Sequence, residues 1–146
     1  MLINDHINFS GKNPLIGAND DNYGPRFPSM NDAYSYKLRE KCHKIAKSQG
    51  IELKEGVYLM VLGPNFETNA EVKAFSILGA DAVGMSTVPE VISAKHCSID
   101  VLGISVITNY ASGIMNNNPS HQETLEEANK ASKKLTNLIV EFINKE

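Results

Sequence analysis

The distribution of apolar residues divides most of the chain into alternating strand-like and helix-like segments. Three short apolar runs predict buried strands, at residues 57–62, 82–85 and 101–107. Helix-like spacing of apolar residues predicts helices at residues 29–49, 68–78, 87–97 and 120–144. Because strands and helices alternate along the chain, we expect an α/β fold with a mostly parallel or mixed sheet flanked by helices.

Two of the predicted helices are preceded by the sequence Thr-x-x-Glu. In such a capping box the threonine hydroxyl accepts from a backbone N–H of the first turn, and the glutamate accepts from the threonine N–H. Thr68 with Glu71 and Thr87 with Glu90 have this spacing, and Pro89 is tolerated in a first turn. We therefore expect both helices to begin directly after these threonines.

Residues 4–30 are rich in asparagine, aspartate, glycine and proline, which form local turns and interrupt regular structure. We predict one long loop over this range. Loops of that length in compact domains are usually functional or disordered. Because Phe9, Tyr23 and Phe27 are aromatic, we expect this loop to pack onto a neighbouring surface.

Length and charge limit the classes of function. A chain of 146 residues is long enough for a single domain over residues 1–146 and too short for two enzymatic domains. Its formal charge of −3 comes from 14 basic and 17 acidic residues that are scattered along the chain. This distribution offers no basic stripe for nucleic acid and no polybasic run for a membrane surface.

The remaining composition indicates a cytoplasmic protein. No apolar run approaches the roughly 20 residues of a membrane span, and the first residues form no basic leader. The two cysteines, Cys42 and Cys97, are far apart and belong to no CxxC motif. We therefore expect neither a metal site nor a disulfide, and we interpret both cysteines as buried or incidental thiols of a reducing cytosol.

Polar side chains follow each of the three predicted strands. Glu67 lies after the first strand, Ser86 after the second and Asn109 after the third. The carboxyl ends of parallel strands meet at one edge of a sheet, where open α/β proteins bind their ligands. The sequence therefore predicts a ligand site that contains a carboxylate, a hydroxyl and a carboxamide.

Several segments resemble the trimeric purine nucleoside phosphorylase family in the same order along the chain. They lie at residues 4–8, 11–15, 26–30, 55–68, 78–91 and 107–109. The resemblance extends over essentially the whole chain but matches the second half of the family's pattern. It implies an incomplete phosphorylase/hydrolase-like fold without the half that supplies the phosphate-binding loop, an arginine and histidines that hold phosphate.

The resemblance assigns the base contacts to Asn109 and Glu67. Phosphorolysis releases the purine with charge spread onto N7 and O6, and a carboxamide donor near these atoms stabilises it. The Glu67 carboxylate would accept from N1–H, which a 6-oxopurine has and adenine lacks. The family therefore implies phosphorolysis of inosine- and guanosine-type nucleosides to free base and ribose 1-phosphate, in purine salvage.

Other residues match family positions around the ribose, the base and the phosphate. The implied roles are ribose packing for Met85, contact near the sugar hydroxyls and base for Tyr58, purine stacking for Phe66, phosphate contact for Ser86, the ribose 5′-hydroxyl for His121 and a neighbouring subunit's ribose site for Phe27. The last role requires a homotrimer. Inorganic phosphate would be the co-substrate, and the resemblance implies no cofactor and no metal.

The residue types alone leave structural alternatives open. These are a dipole-compensating carboxylate for Glu67, a strand-ending turn for Asn109, a helix cap for Ser86, core packing for Tyr58, Phe66 and Met85, and a solvated first-turn residue for His121, which follows a predicted loop at 115–119. The family motifs favour the functional roles over these alternatives.

Two functional classes follow from the resemblance. An active enzyme would need the missing half, from a longer form of the chain or from a complementary N-terminal fragment. The alternative is a catalytically inactive, truncated purine-binding remnant. Arg26 and Arg39 are the two arginines, and neither lies in a glycine-rich phosphate loop, so catalysis by the isolated chain is doubtful.

Overall fold

The computed structural model describes residues 1–115 and 120–145. In this part of the chain one sheet has the order β3-β2-β1-β4, with β1 at Leu2–Asn8, β2 at Glu55–Met60, β3 at Ala82–Gly84 and β4 at Gly103–Ile104. β1 and β2 are parallel, as are β2 and β3, whereas β4 runs antiparallel to β1. The predicted α/β fold is confirmed, and the sheet is mixed.

The helices of the described chain are α1 (Tyr36–Ser48), α2 (Asn69–Ile77), α3 (Val88–His96) and α4 (His121–Asn144). The predicted bounds of α2, α3 and α4 are confirmed to within one residue, but α1 begins at Tyr36 and not near residue 29. Asp32 has a φ of +54°, and its carboxylate accepts from the Tyr36 N–H at 2.9 Å, so the chain turns before the helix starts. None of these helices is both long and apolar enough to cross a membrane.

The predicted loop at residues 4–30 is wrong at its start, because β1 extends to Asn8. Asparagine and aspartate are poor strand formers, so the local sequence favours a loop. The strand forms because it pairs on both edges, with β2 from Leu2 to Asn8 apart from an irregularity at Asn4, and with β4 at Leu2 and Ile3. Tertiary pairing therefore overrides the local preference.

Residues 9–30 contain neither helix nor strand. Phe9 packs edge-on against Phe75 of α2 with ring centroids 5.2 Å apart, whereas Tyr23 and Phe27 are exposed. The middle of the loop is held against α3, since His96 Nε2 lies 3.0 Å from Asn19 Oδ1. Of the three aromatic rings that were expected to pack onto a neighbouring surface, Phe9 packs within the chain.

The apolar run at 101–107 forms a shorter strand than predicted, because two residues of it, Gly103 and Ile104, pair with β1. The Tyr34 ring packs against Gly103, where a Cβ would lie 2.8 Å from a ring carbon. β4 is an edge strand of the described sheet. Its neighbours Leu102 and Val106 are half-buried, so the prediction of a fully buried strand is wrong.

Apolar residues fill both faces of the sheet. The cluster on the α3 side contains Ile3, Ala33, Tyr34, Tyr58, Met60, Val88, Val91 and Ile92. The cluster on the α1 and α4 side contains Leu2, Cys42, Ile45, Ala46 and Leu138. The adjacent residues Leu2 and Ile3 point to opposite clusters, as strand geometry requires. The sheet is therefore a central layer, and its strand ends are positioned from both sides.

Candidate active site

The carboxyl ends of β2 and β3 lie side by side. Both strands are parallel, and beyond them the Val61 N–H donates to the Gly84 carbonyl at 3.0 Å. The Met85 thioether packs directly on Gly63, where a Cβ would lie 2.3 Å from Met85 Sδ. A side chain at position 63 would separate the two segments, so glycine is required there.

Tyr58 braces the segment that follows β3. Its side chain is 5% exposed, and its hydroxyl accepts from the Ser86 backbone N–H at 3.4 Å. The same hydroxyl lies against Gly84, where a Cβ would be 2.1 Å away. The hydroxyl of Tyr58 is therefore directed at the main chain of the Met85–Ser86 segment.

The capping box predicted at Thr87 is wrong. Thr87 has a φ of +78° and a ψ of −51°, and its side chain makes no hydrogen bond to the first turn of α3. The Val88 N–H donates to the Ser86 carbonyl at 2.9 Å, which defines a γ-turn of the rare and strained type. The Thr87 hydroxyl lies 3.2 Å from Ser86 Oγ instead. A strained turn therefore presents Ser86 at the start of α3.

The capping box at Thr68 is confirmed. The Glu71 N–H donates to Thr68 Oγ1 at 3.3 Å, and the Thr68 N–H donates to Glu71 Oε2 at 2.7 Å. Hydrogen bonds from the Thr68 backbone and hydroxyl lower the pKa of Glu71 below its ordinary value of 4.5. This cap fixes the start of α2, and the preceding residues Phe66 and Glu67 are exposed and half-buried respectively.

Asn109 lies on the segment that follows β4. The expectation that all three strands end at one edge of the sheet is wrong for β4, because β4 runs antiparallel to β1. Asn109 Oδ1 accepts from Thr108 Oγ1 at 2.8 Å, and Asn109 Nδ2 donates to the Tyr110 carbonyl at 3.1 Å. Further along, the Gly113 backbone approaches the Asn69 side chain so closely that a Cβ would lie 2.7 Å from Asn69 Cγ. The segment carrying Asn109 therefore continues to the start of α2, which lies two residues after Glu67.

Two predicted site residues are not joined to this group by the contacts of the described chain. Phe27 is 87% exposed, and the Arg26 guanidinium lies 5.2 Å from its ring centroid. His121 is the exposed first residue of α4. The loop predicted before it falls largely on residues 116–119, which lie outside the described residues.

Phe66 and Met85 are exposed to solvent, whereas Tyr58 is buried. The cavities of about 630 and 320 Å³ lie elsewhere, along α1 and between β4 and α4. Within residues 1–115 and 120–145 there is no group of three His, Cys, Asp or Glu side chains suited to a metal ion. Sequence reasoning missed Gly63 and Gly84, although a glycine at the end of an apolar run is a signal of close approach.

The sequence profile of the phosphorylase superfamily matches residues 1–144. The chain belongs to the phosphorylase superfamily. Purine nucleoside phosphorylase 1 of Geobacillus stearothermophilus, from this superfamily, is 50% identical over 130 residues, which cover 89% of this chain and 47% of the relative. Purine nucleoside phosphorylase of Bos taurus is 51% identical over 148 residues, which cover 95% of this chain and 50% of the relative.

Solved phosphorylase structures share the fold. Purine nucleoside phosphorylase of Schistosoma mansoni in complex with inosine has a TM-score of 0.95 and 34% identity, and the match covers 99% of this chain and 54% of that chain. A schistosoma purine nucleoside phosphorylase in complex with hypoxanthine has a TM-score of 0.94. This member of the superfamily spans about half the length of the relatives it matches, and the predicted family resemblance is confirmed.

Proposed function

We propose that the chain forms the purine and ribose half of a purine nucleoside phosphorylase site, which converts 6-oxopurine nucleosides and phosphate to free base and ribose 1-phosphate. One observation carries the proposal. Met85 packs on Gly63 of the segment that leads to Glu67, and Gly113 of the segment that carries Asn109 lies against Asn69, in a fold that matches an inosine-bound phosphorylase at a TM-score of 0.95.

The base would be held by Asn109 and Glu67. A carboxamide has two N–H donors, and one of them goes to the Tyr110 carbonyl, which leaves the second for purine N7 or O6. The half-buried Glu67 carboxylate would accept from N1–H of hypoxanthine or guanine. Adenine offers a bare N1 acceptor there, and two facing acceptors disfavour it.

The ribose and phosphate would lie over Met85 and Ser86. Phe66 and Met85 are exposed apolar side chains on which a purine and a sugar can pack. Tyr58 would act near the sugar indirectly. Its hydroxyl accepts a hydrogen bond from the Ser86 N–H and so holds the Ser86 segment in place. Ser86 stands at the N-terminus of α3, where the helix dipole favours an anion such as the phosphate co-substrate.

The proposed assembly is a homotrimer or a complex with a complementary fragment. In a homotrimer the exposed Phe27 would reach a neighbouring subunit's ribose site, and His121 would reach the 5′-hydroxyl of the nucleoside. We propose no metal and no cofactor besides phosphate. These roles rest on the family resemblance together with the exposure of both side chains.

A second candidate is purine binding without turnover by the isolated chain. Both arginines have partners of their own, since Arg26 donates to the Leu15 carbonyl at 3.2 Å and Arg39 pairs with Glu55 at the amino end of β2. Neither is therefore placed to neutralise phosphate beside Ser86. This observation favours loss of phosphorolysis in the absence of the remaining half.

The two candidates are separated by measuring hypoxanthine release from inosine at saturating phosphate, and hypoxanthine binding by calorimetry. We expect the isolated chain to bind hypoxanthine and to release little or none from inosine. A turnover near the enzyme median of about 10 per second would refute the need for the remaining half. Absence of purine binding by the isolated chain, and by a complex that restores the remaining half, would refute the proposed function.

A further inference from the structure

A groove of about 630 Å³ runs along α1 and reaches the end of α4. It shares no residue with the candidate active site. Four lysines and one glutamate supply the charged groups of its lining, namely Lys37, Lys41, Lys44, Lys145 and Glu40. The chain as a whole has a formal charge of −3. The groove, which we call the α1 groove, therefore has the opposite sign of charge to the chain as a whole.

The lysines of α1 lie on one face of the helix. Lys37, Lys41 and Lys44 are four and three residues apart, and the rise from the first to the last is about 10 Å. Like charges at this spacing repel each other and destabilise a helix. The fold adds Lys145 from the end of α4 to the same groove. A bound anion would relieve this repulsion, so the cluster favours an anionic ligand.

The ammonium group of Lys41 is held in place without being neutralised. Its Nζ lies 4.6 Å from the centroid of the Phe142 ring, which attracts a cation but carries no net charge. Among the described residues, Lys37, Lys41 and Lys44 form no ion pair with a carboxylate. Three positive charges of the groove are therefore available to a ligand.

Two carboxylates limit the charge of the groove. Lys145 Nζ lies 2.9 Å from Glu141 Oε1, so this pair adds little net charge. Glu40 lines the groove and forms no ion pair within the part of the chain that the structure describes. The three lysines of α1 outnumber this one opposing group, and the lining remains positive.

We propose that the α1 groove binds a polyphosphate group, either free or attached to a nucleoside. Phosphate oxygens are strong acceptors for lysine N–H donors, and several linked phosphates can contact several ammonium groups at once. A single phosphate offers one charged group to three lysines. The proposal is independent of the proposed function, because it concerns other residues.

An aromatic ring at one end of the groove suits a nucleoside. Tyr36 is the first residue of α1, lines the groove and is 61% exposed. A purine or pyrimidine base can stack on such a ring. A nucleic-acid strand is a poorer fit, because its long backbone would extend beyond the groove onto a chain whose net charge is negative.

The test measures the dissociation constant of inorganic triphosphate for the full chain, by calorimetry at physiological ionic strength. The test variant, Lys37→Glu/Lys44→Glu, reverses the charge of two exposed lysines of the groove. The matched control, Lys47→Glu/Lys133→Glu, makes the same change at two exposed lysines of α1 and α4 that do not line the groove. Lys37→Gln/Lys44→Gln is a milder variant, and circular dichroism verifies that each variant is folded.

We expect the test variant to weaken triphosphate binding at least about tenfold and the glutamine variant to give an intermediate loss. The control should lose less than about twofold, because salt screens charges outside the groove. Orthophosphate should bind the unaltered chain at least about tenfold more weakly than triphosphate does.

Four results would overturn the proposal. They are absence of triphosphate binding by the unaltered chain, equal losses in the test and control variants, equal affinity for orthophosphate and triphosphate, and tighter binding of a double-stranded oligonucleotide than of triphosphate. The second would reduce the effect to general charge attraction, and the last would assign the groove to a nucleic-acid backbone.

ATP separates the two sources of the polyphosphate group. Tighter binding of ATP than of triphosphate, with the gain lost in Tyr36→Ala, would identify a nucleotide as the ligand. Equal affinity for ATP and triphosphate would identify the free polyphosphate, and either result retains the α1 groove as the site. Binding of ATP and of triphosphate that Lys37→Glu/Lys44→Glu leaves unchanged would place both ligands elsewhere and refute the site.

Discussion

Thr87 holds a backbone conformation that a β-branched residue rarely adopts. The surrounding contacts enforce it, because Val88 is fully buried in the α3 cluster and the Ser86 N–H is bound by the Tyr58 hydroxyl. Strain of this kind costs about 1–3 kcal/mol and tends to occur where a turn must present a functional group. At this position the group presented is Ser86.

Replacing Thr87 by glycine should stabilise the fold. Glycine adopts a positive φ freely, which removes the strain. Its greater flexibility in the unfolded state offsets part of the stability that is gained. We expect Thr87→Gly to raise the free energy of unfolding by about 1 kcal/mol in urea denaturation. Thr136→Gly, inside α4, is the control and should lower it by about 0.3 kcal/mol, the difference in helix propensity between the two residues. Destabilisation by Thr87→Gly would show that the turn is unstrained.

Asn109→Asp should change the preference among purines. The carboxylate has no N–H to offer to N7 or O6, and it repels charge that develops there. Calorimetry should show that hypoxanthine loses affinity relative to adenine in this variant. An unchanged ranking of the two bases would remove Asn109 from the base site, and equal affinity of the unaltered chain for both bases would remove Glu67.

Among the helices, α2 has a cap that depends on pH. Because the folded-state pKa of Glu71 lies below 4.5, its contribution is present above that pH and is lost as pH falls through the folded-state pKa. Glu71→Gln should therefore destabilise the chain at pH 7 and have little effect well below pH 4.5. Thr68→Ala should lower the free energy of unfolding by about 1 kcal/mol at pH 7.

The control for this prediction is Thr87→Ala, because Thr87 makes no hydrogen bond to the first turn of α3. That variant should lose no cap contribution. Urea denaturation at a series of pH values measures all three variants. A constant difference between Glu71→Gln and the unaltered chain from pH 7 to pH 3 would contradict the role of the Glu71 carboxylate.

β1 should also make the fold sensitive to acid. Burial lowers the pKa of His6 below 6.5, with the Asp5 carboxylate opposing the shift, and His6 Nδ1 lies 3.0 Å from the Tyr34 hydroxyl. The unfolded chain then binds the proton more readily, so the contribution of His6 is present above pH 6.5 and lost as pH falls. His6→Gln should weaken the decline in thermal stability from pH 7 to pH 5. A decline of the same size in His6→Gln and the unaltered chain would show that other groups cause the loss of thermal stability.

For the molecule as a whole, the free sheet edge and the exposed apolar residues argue against a stable monomer. The other sheet edge, β3, has three residues, and the Phe27 loop projects into solvent. We expect the isolated chain to self-associate or aggregate unless a complementary chain is present. Light scattering during size-exclusion chromatography measures this. A sharp and persistent monomer peak at micromolar concentration would show that the sheet is self-sufficient.

Local interactions determined what the sequence predicts. The Thr68 box and the bounds of α2, α3 and α4 depend on hydrogen bonds or apolar periods within a few residues. The positions of Glu67, Ser86 and Asn109 after apolar runs could be identified for the same reason. The parallel arrangement of β2 and β3 follows from the helix that connects them. The family membership is also contained in the sequence, because its motifs are contiguous.

Tertiary structure decided the features that depend on distant partners. Asp5, His6 and Asn8 lie in a strand because β2 pairs with them from about fifty residues further along the chain. The γ-turn at Thr87 has the sequence of a capping box, but the buried Tyr58 and Val88 impose another conformation on it. The periodicity of a sequence reflects interactions between residues that are close along the chain. Strand pairing, the position of a strand in the sheet and backbone strain depend instead on residues that the fold brings together.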